Sequence, residues 1–71
     1  MKKLKNTLRR CRFENNEMTQ EELACQVGVT RQTIHSIEKG KFKPSIFLAL
    51  KIAEIFGKTV EDIFFLSEEK T

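Results

Sequence analysis

The 71-residue chain has few of the residues that build metal sites or covalent cross-links. It contains two cysteines, one histidine and one proline. A structural zinc site takes four ligands in close pairs, whereas Cys11 and Cys25 lie fourteen positions apart and His35 stands alone. No metal and no other cofactor is therefore predicted. Since a disulfide is disfavoured in a reducing compartment, we expect both thiols to be small buried side chains.

Long apolar runs are also missing. No stretch approaches the roughly 20 residues that a membrane span requires. The basic start, MKKLKNTLRRCRF, has no apolar core of the kind that a secretory signal carries. The sequence therefore predicts a soluble, cytoplasmic protein with no membrane partner. It also has no glycine-rich phosphate loop and no converging nucleophile, base and orienting group, so an enzyme is not predicted.

Charge is distributed unevenly along this short chain. The net charge is +3, with 39% hydrophobic and 32% charged residues, an ordinary mix for one globular domain. We place that domain at residues 4–66 and a short acidic tail at 67–71. Basic residues cluster before the first acid and again near the middle of the chain: Lys2, Lys3, Lys5, Arg9, Arg10, Arg12, Arg31, Lys39, Lys41 and Lys43. This clustering indicates a face drawn to an anionic partner, with simple solvation of surface lysines as the alternative.

Apolar residues recur at helical spacing, and no segment suggests a strand, so the predicted fold class is all-α. Leu4, Leu8 and Cys11 form one stripe on a first helix that we expect to end near Asn15 and Asn16. The inner arc of a fourth helix is expected to comprise Ile46, Ala49, Leu50, Ile52, Ala53 and Phe56. A short fifth helix follows, capped by Thr59, with inward positions at Val60, Ile63 and Phe64.

The stretch TQEELACQVGVTRQTIHSIEKG carries the strongest structural signal. Thr19 and Glu22 have the spacing of a capping box, and Thr30 is suited to cap the next helix. Gly28 supplies the left-handed conformation that ends a helix. Two helices that cross closely beside such a turn favour a small side chain on the first, here Ala24. These features predict a helix-turn-helix over about residues 19–38, with apolar positions filled by Leu23, Ala24, Val27, Val29, Ile34 and Ile37.

The pieces TQEELA, GVTRQTIHSIEKGK, PS and LALKIAEIFG, in this order and spacing, resemble the Cro/repressor-type helix-turn-helix family, also called the XRE family, of small bacterial and phage transcriptional regulators. The resemblance covers about residues 4–66. It implies a compact five-helix lambda-repressor-like domain that binds double-stranded DNA sequence-specifically, usually as a homodimer on an inverted-repeat operator. Such a regulator would be a repressor or autoregulator associated with the nucleoid, with its third helix in the major groove.

The resemblance also implies roles for individual side chains of the motif. The base-reading positions correspond to Arg31, Gln32 and Ser36, bordered by Thr33 and His35. Arginine suits guanine and glutamine suits adenine, because each forms a bidentate contact in the major groove. Contacts to DNA phosphates are expected from Thr19, Gln20, Lys39, Lys41 and Lys43. The alternative is that these polar side chains are only a solvated surface.

Two further expectations concern structure rather than DNA. In the family, an acid at the position of Glu38 often pairs with an arginine of the first helix, which implies an Arg12–Glu38 ion pair that supports the third helix. The turn ENNEM is one residue longer than the commonest family form, and Cys11 replaces a larger aliphatic residue.

An aromatic residue lies outside the predicted apolar arc of the fourth helix. Phe47 lies beside Lys51 and Glu54, at a position where the family usually has a polar residue. A dimer interface is therefore predicted at Phe47, Phe64, Phe65 and Leu66, with closure of a small core as the alternative. A second function also stays open: an antitoxin-like component that binds a protein toxin as well as its own promoter.

Overall fold

The computed structural model describes residues 2–68, which form five α-helices and a small two-stranded sheet. The helices are α1 (Leu8–Glu14), α2 (Gln20–Val27), α3 (Arg31–Glu38), α4 (Ile46–Phe56) and α5 (Val60–Ile63). Strands β1 (Lys2–Asn6) and β2 (Phe64–Glu68) pair antiparallel and bring the two ends of the chain together. The five predicted helices are confirmed, but the sheet makes the all-α description only approximate.

The ends of α2 and α3 are set by their own neighbouring residues. The backbone N–H of Glu22 donates to Thr19 Oγ1 at 3.0 Å, and the N–H of Thr19 donates to Glu22 Oε1 at 2.8 Å, which confirms the predicted capping box. Gly28 ends α2 with φ 76°, in the left-handed region that glycine adopts without a steric penalty. Thr30 then caps α3 by accepting from the N–H of Thr33. The helix-turn-helix boundaries therefore follow from local chemistry.

The core lies where α2, α3 and α4 meet the first and fifth helices. Its largest fully buried side chains come from all five helices: Leu8, Leu23, Ile34, Ile37, Ile52 and Ile63. Ala24 is buried as well, and Val29 in the turn is half-buried against the same cluster. Burying a side chain of this size contributes about 1.5–3 kcal/mol, so α3 is held from beneath by two such anchors.

The predicted start of the first helix lies too early in the chain. Leu4 lies in β1, opposite Leu66 of β2, and α1 starts only at Leu8. Asn6 marks the change, because its Oδ1 accepts from the N–H of Leu8 while its Nδ2 donates to the Ile37 carbonyl at 3.0 Å. Leu4 has the right spacing for the helical stripe, but pairing with the distant C-terminal strand decides its conformation.

The C-terminal region also differs from the expectation. Ser67 and Glu68, assigned to the acidic tail, are the last residues of β2. The rest of that tail, residues 69–71, lies outside the described residues. Phe64, predicted at the dimer interface, is only 7% exposed because it closes the core at the start of β2. For Phe64, the alternative prediction that it closes the small core is therefore the correct one.

Two predicted inner positions of α4 face outward. Ile46 and Leu50 are exposed, whereas Leu48, which the predicted arc did not include, is buried with Ala49, Ile52 and Ala53. The buried stripe is therefore rotated toward Leu48. The expectation of two buried thiols also fails for one of them: Cys11 is buried, but Cys25 is exposed on α2.

The long turn ENNEM is accommodated by left-handed backbone. α1 ends at Glu14, and Asn16 and Glu17 follow with φ of 55° and 53°. Asparagine tolerates this region better than most residues. The helix therefore ends next to the predicted boundary near Asn15 and Asn16, and the additional residue lies in the turn.

Candidate nucleic-acid interface

The outer face of α3 is polar, whereas its inner face is fully buried. Ile34 and Ile37 are at most 1% exposed, so the helix cannot rotate about its axis without uncovering them. Arg31 and Gln32, in the first turn, are exposed. The remaining predicted base-reading side chains are partly exposed: Thr33, His35 and Ser36. The structure thus brings these five residues onto one short helix with a fixed orientation.

Thr33 has a structural partner as well as a position on this face. Its hydroxyl lies 3.0 Å from the Thr30 hydroxyl, and its backbone N–H donates to the same Thr30 oxygen. The two threonines therefore fix the start of α3. This arrangement holds the first turn, with Arg31 and Gln32, in a defined place.

Arg12 and Glu38 form the predicted ion pair. Arg12 Nε donates to Glu38 Oε2 at 2.6 Å, and Arg12 Nη2 donates to Glu38 Oε1 at 3.0 Å. The side chains are only 14% and 7% exposed. Arg12 Nη1 also donates to the Met18 carbonyl at 2.8 Å. One guanidinium therefore ties α1 to the turn before α2 and to the C-terminal end of α3, with the fork geometry that strengthens carboxylate pairs.

Gln20 joins this network from α2, which the sequence analysis missed. Its Nε2 donates to Glu38 Oε1 at 3.1 Å and lies 3.3 Å from His35 Nδ1. The Gln20 amide therefore lies between the Glu38 carboxylate and the His35 ring, and it links α2 to both of these α3 side chains. The sequence did hold a signal for this contact, namely a glutamine at the first position of one helix and a His-x-x-Glu pair on the next helix.

The lysines after α3 follow a turn that folds back onto the helix. The N–H groups of Lys41 and Phe42 both donate to the Ser36 carbonyl, at 2.9 and 3.3 Å. Lys39, Lys41 and Lys43 are all exposed. The backbone of this lysine-bearing loop is therefore held near the C-terminal end of α3.

A lysine of α4 contacts the turn of the motif, and the sequence analysis did not predict this contact. Lys51 Nζ donates to the Val27 carbonyl at 3.0 Å, at the last residue of α2. The same ammonium lies 5.3 Å from the centroid of the Phe47 ring. It satisfies a carbonyl that the helix end leaves without an intrahelical donor.

The predicted dimer residues other than Phe64 are exposed. Phe47 is 69% exposed, and Phe65 and Leu66 are exposed on β2. Ile46 and Leu50, which the sequence analysis placed inside, add to the apolar surface of α4. Ile46, Phe47 and Leu50 lie within about one turn of one another on α4, whereas Phe65 and Leu66 are consecutive in β2 and point to opposite faces of the sheet. We use the name apolar patch for the exposed apolar side chains of both elements taken together: Ile46, Phe47, Leu50, Phe65 and Leu66.

The described residues also bear on metal sites and on membrane-spanning helices. Within residues 2–68, no group of three or more histidine, cysteine, aspartate or glutamate side chains is placed to hold a metal ion. None of the helices described in that range has the length and apolar character needed to cross a membrane.

Comparison with known proteins agrees with this geometry. The family model described as helix-turn-helix matches residues 8–63. An uncharacterised HTH-type transcriptional regulator of Methanocaldococcus jannaschii is 51% identical over 67 residues, 94% of this chain and all of that protein. A second such regulator, from Archaeoglobus fulgidus, is 58% identical over 53 residues, 75% of each chain. The HTH-type transcriptional regulator YgzD of Bacillus subtilis is 55% identical over 51 residues, 72% of this chain and 77% of YgzD.

The family match spans most of the chain, and the relatives come from both archaea and bacteria. The motif it covers is the one whose caps, turn and buried anchors are described above. The chain belongs to the Cro/repressor-type (XRE) family of helix-turn-helix transcriptional regulators and carries its DNA-binding domain.

Proposed function

We propose that this regulator recognises its operator by sequence, with α3 in the major groove of double-stranded DNA. The observation that carries the proposal is the division of α3 into a buried apolar face and an outer face with Arg31, Gln32 and Ser36. A recognition helix needs both, because the buried face fixes its orientation while the outer face presents hydrogen-bonding groups to base edges.

Base recognition is assigned to the first two turns of α3. The Arg31 guanidinium is suited to guanine O6 and N7, and the Gln32 amide to adenine N6 and N7, each worth about 1–3 kcal/mol of discrimination. Ser36 and His35 lie one turn further on. We assign the His35 ring, which contacts Gln20, as a further hydrogen-bonding group toward the DNA. Thr33 borders this set and holds the helix start.

Contacts to the DNA backbone are assigned to the two ends of the motif. Thr19 and Gln20 lie at the N-terminus of α2, where backbone N–H groups and the helix dipole favour phosphate. Lys39, Lys41 and Lys43 supply cations beyond α3. These contacts add affinity and register without sequence preference. A regulator that binds DNA through such contacts would be associated with the nucleoid.

A homodimer on an inverted-repeat operator completes the proposal. Three large apolar side chains, Ile46, Phe47 and Leu50, are more than half exposed on α4, and grouped exposed apolar side chains of this kind mark interaction surfaces. A second copy covering this surface would give two recognition helices, which in such dimers enter successive major grooves about 34–36 Å apart. A repressor or autoregulator would then act by occupying its promoter.

Two matched phenylalanines test the dimer. Phe47 and Phe13 are 69% and 67% exposed, but only Phe47 belongs to the apolar patch. We expect Phe47→Glu to reduce the mass in sedimentation equilibrium to that of one chain, whereas Phe13→Glu keeps the mass of two. A dimeric Phe47→Glu variant would rule out this interface.

Selection of bound duplexes from a random pool tests DNA recognition itself. We expect an enriched motif with two inverted half-sites about one helical turn apart. A folded protein that enriches no sequence would contradict the proposal. Copurification with a second protein, together with no preference for inverted repeats, would instead favour the antitoxin-like function.

A further inference from the structure

Seven cations line the side of the molecule where β1 meets the end of α3. Lys3 is one of them, and we call the other six the basic band: Lys2, Lys5, Arg9, Arg10, Lys39 and Lys43. They line two open grooves of about 460 and 540 Å³. Both grooves include Asn6 and Glu38, so they adjoin each other. The band therefore joins the start of the chain, the first turn of α1 and the loop after α3 in one surface.

Few acidic side chains line the two grooves, although Glu68 of β2 lies opposite Lys2 in the sheet. Among residues 2–68, Glu38 is the one acidic residue that lines either groove. Its carboxylate already accepts from Arg12 and Gln20. The whole chain has a net charge of only +3, so acids elsewhere offset the band. A surface with this much positive charge raises the local concentration of anions.

The ligand that fits the band is a linear polyanion. The cations come from separate segments and border apolar side chains, with Leu4 and Phe42 in the first groove and Phe13 in the second. A DNA backbone alternates phosphates with less polar sugars and carries one charge per about 1.7 Å of duplex axis. A second copy of this chain fits less well, because it would bring like charges together.

The position of the band links it to the DNA-binding face. Lys39 and Lys43 belong to the band and also to the phosphate contacts assigned above. Asn6, at the junction of the grooves, donates to the Ile37 carbonyl at the end of α3. Asn6, which lies between Lys5 and Arg9 in the chain, thus ties this segment to the end of the recognition helix.

We infer that the basic band is a second contact surface for the phosphodiester backbone of the same operator duplex. This inference rests on the proposed function. Lys2, Lys5, Arg9 and Arg10 then extend the footprint beyond the helix-turn-helix. They contribute affinity and salt dependence but no base preference, because phosphate contacts are the same for every sequence.

The test compares a triple variant with wild type on a duplex obtained by the random-pool selection. Lys5→Gln, Arg9→Gln and Arg10→Gln are combined, since all three side chains are exposed and their loss leaves the core intact. Lys58→Gln is the control, an exposed cation outside the band. Kd is measured against KCl concentration, and phosphate ethylation interference maps the contacts.

Each phosphate contact contributes about 0.9 to the slope of log K against log salt, so the triple variant should lower that slope by about 2–3. Interference at several phosphates should also disappear, with the enriched base motif unchanged. If the triple variant shows the same salt dependence of binding as wild type, the inference is overturned and the proposed function is left intact. That result would favour a free small anion as the ligand of the grooves. Wild-type protein that binds no selected duplex would overturn both.

Discussion

The helix-turn-helix and the outward-facing residues of α4 and β2 differ in how far the chain covers its apolar side chains. In the motif every required apolar position is buried or half-buried. On α4, Ile46 and Phe47 are 72% and 69% exposed and Leu50 is exposed as well, as is Leu66 on β2. The recognition unit is therefore completed by contacts within residues 2–68, whereas those contacts leave the outer face of α4 uncovered.

Polar contacts show the same difference. Glu38, at the end of α3, is bound by side chains from both α1 and α2. Phe47, on α4, has the Lys51 ammonium near its ring but remains largely exposed. The motif should therefore respond to mutation mainly through stability, and the apolar patch mainly through association.

The largest effect is expected from Glu38→Ala. The change leaves the nearly buried Arg12 guanidinium without its carboxylate, and breaking a buried pair in this way costs about 3–5 kcal/mol. Urea unfolding measures the loss. Glu54→Ala, an exposed acid on α4, is the control and should change stability by less than about 0.5 kcal/mol. Equal effects of the two substitutions would show that the network does not support α3.

A pair of isoleucines on α4 sharpens the contrast between the buried and exposed sides. Ile52 is fully buried and Ile46 is 72% exposed. Ile52→Ala should lower the free energy of unfolding by about 2–5 kcal/mol, because it leaves a cavity. Ile46→Ala should have little effect at low protein concentration and should weaken the dimer at high concentration. Unfolding measured at two concentrations separates the two outcomes, and a large concentration-independent loss at Ile46 would contradict the assignment.

The smallest effect concerns the cap that begins α5, next to β2. Hydrogen bonds from the backbone and hydroxyl of Thr59 lower the pKa of Asp62 from its usual 3.8. A lowered pKa stabilises the fold above pH 3.8, and the stabilisation is lost as the pH falls through the lowered value. Asp62→Asn should therefore flatten the acid limb of the stability curve. Glu61→Gln is the neighbouring control, and an unchanged limb in Asp62→Asn would show that the cap does not contribute.

The sequence predicted the motif well because its signals are local. The capping box at Thr19, the glycine turn at Gly28 and the cap at Thr30 each depend on residues within one helical turn. The Arg12–Glu38 pair is not local, and the resemblance to a family supplied it.

Other features depend on contacts that local patterns do not contain. Leu4 fits the helical stripe but lies in β1, because it pairs with Leu66 at the opposite end of the chain. The rotation of α4 toward Leu48 depends on the shape of the core it covers. Gln20 binds across to α3, a contact that only the crossing of the two helices creates.

Two glutamines test base reading by the outer face of α3. Gln32 lies on the outer face of α3, while Gln26 is also exposed but lies on α2. The measurement is the base-preference profile of wild type, Gln32→Ala and Gln26→Ala, obtained from random-pool selection. We expect Gln32→Ala to lose preference at one base pair of each half-site while Gln26→Ala keeps the full motif. An unchanged profile for Gln32→Ala, with intact binding, would contradict base reading by this face.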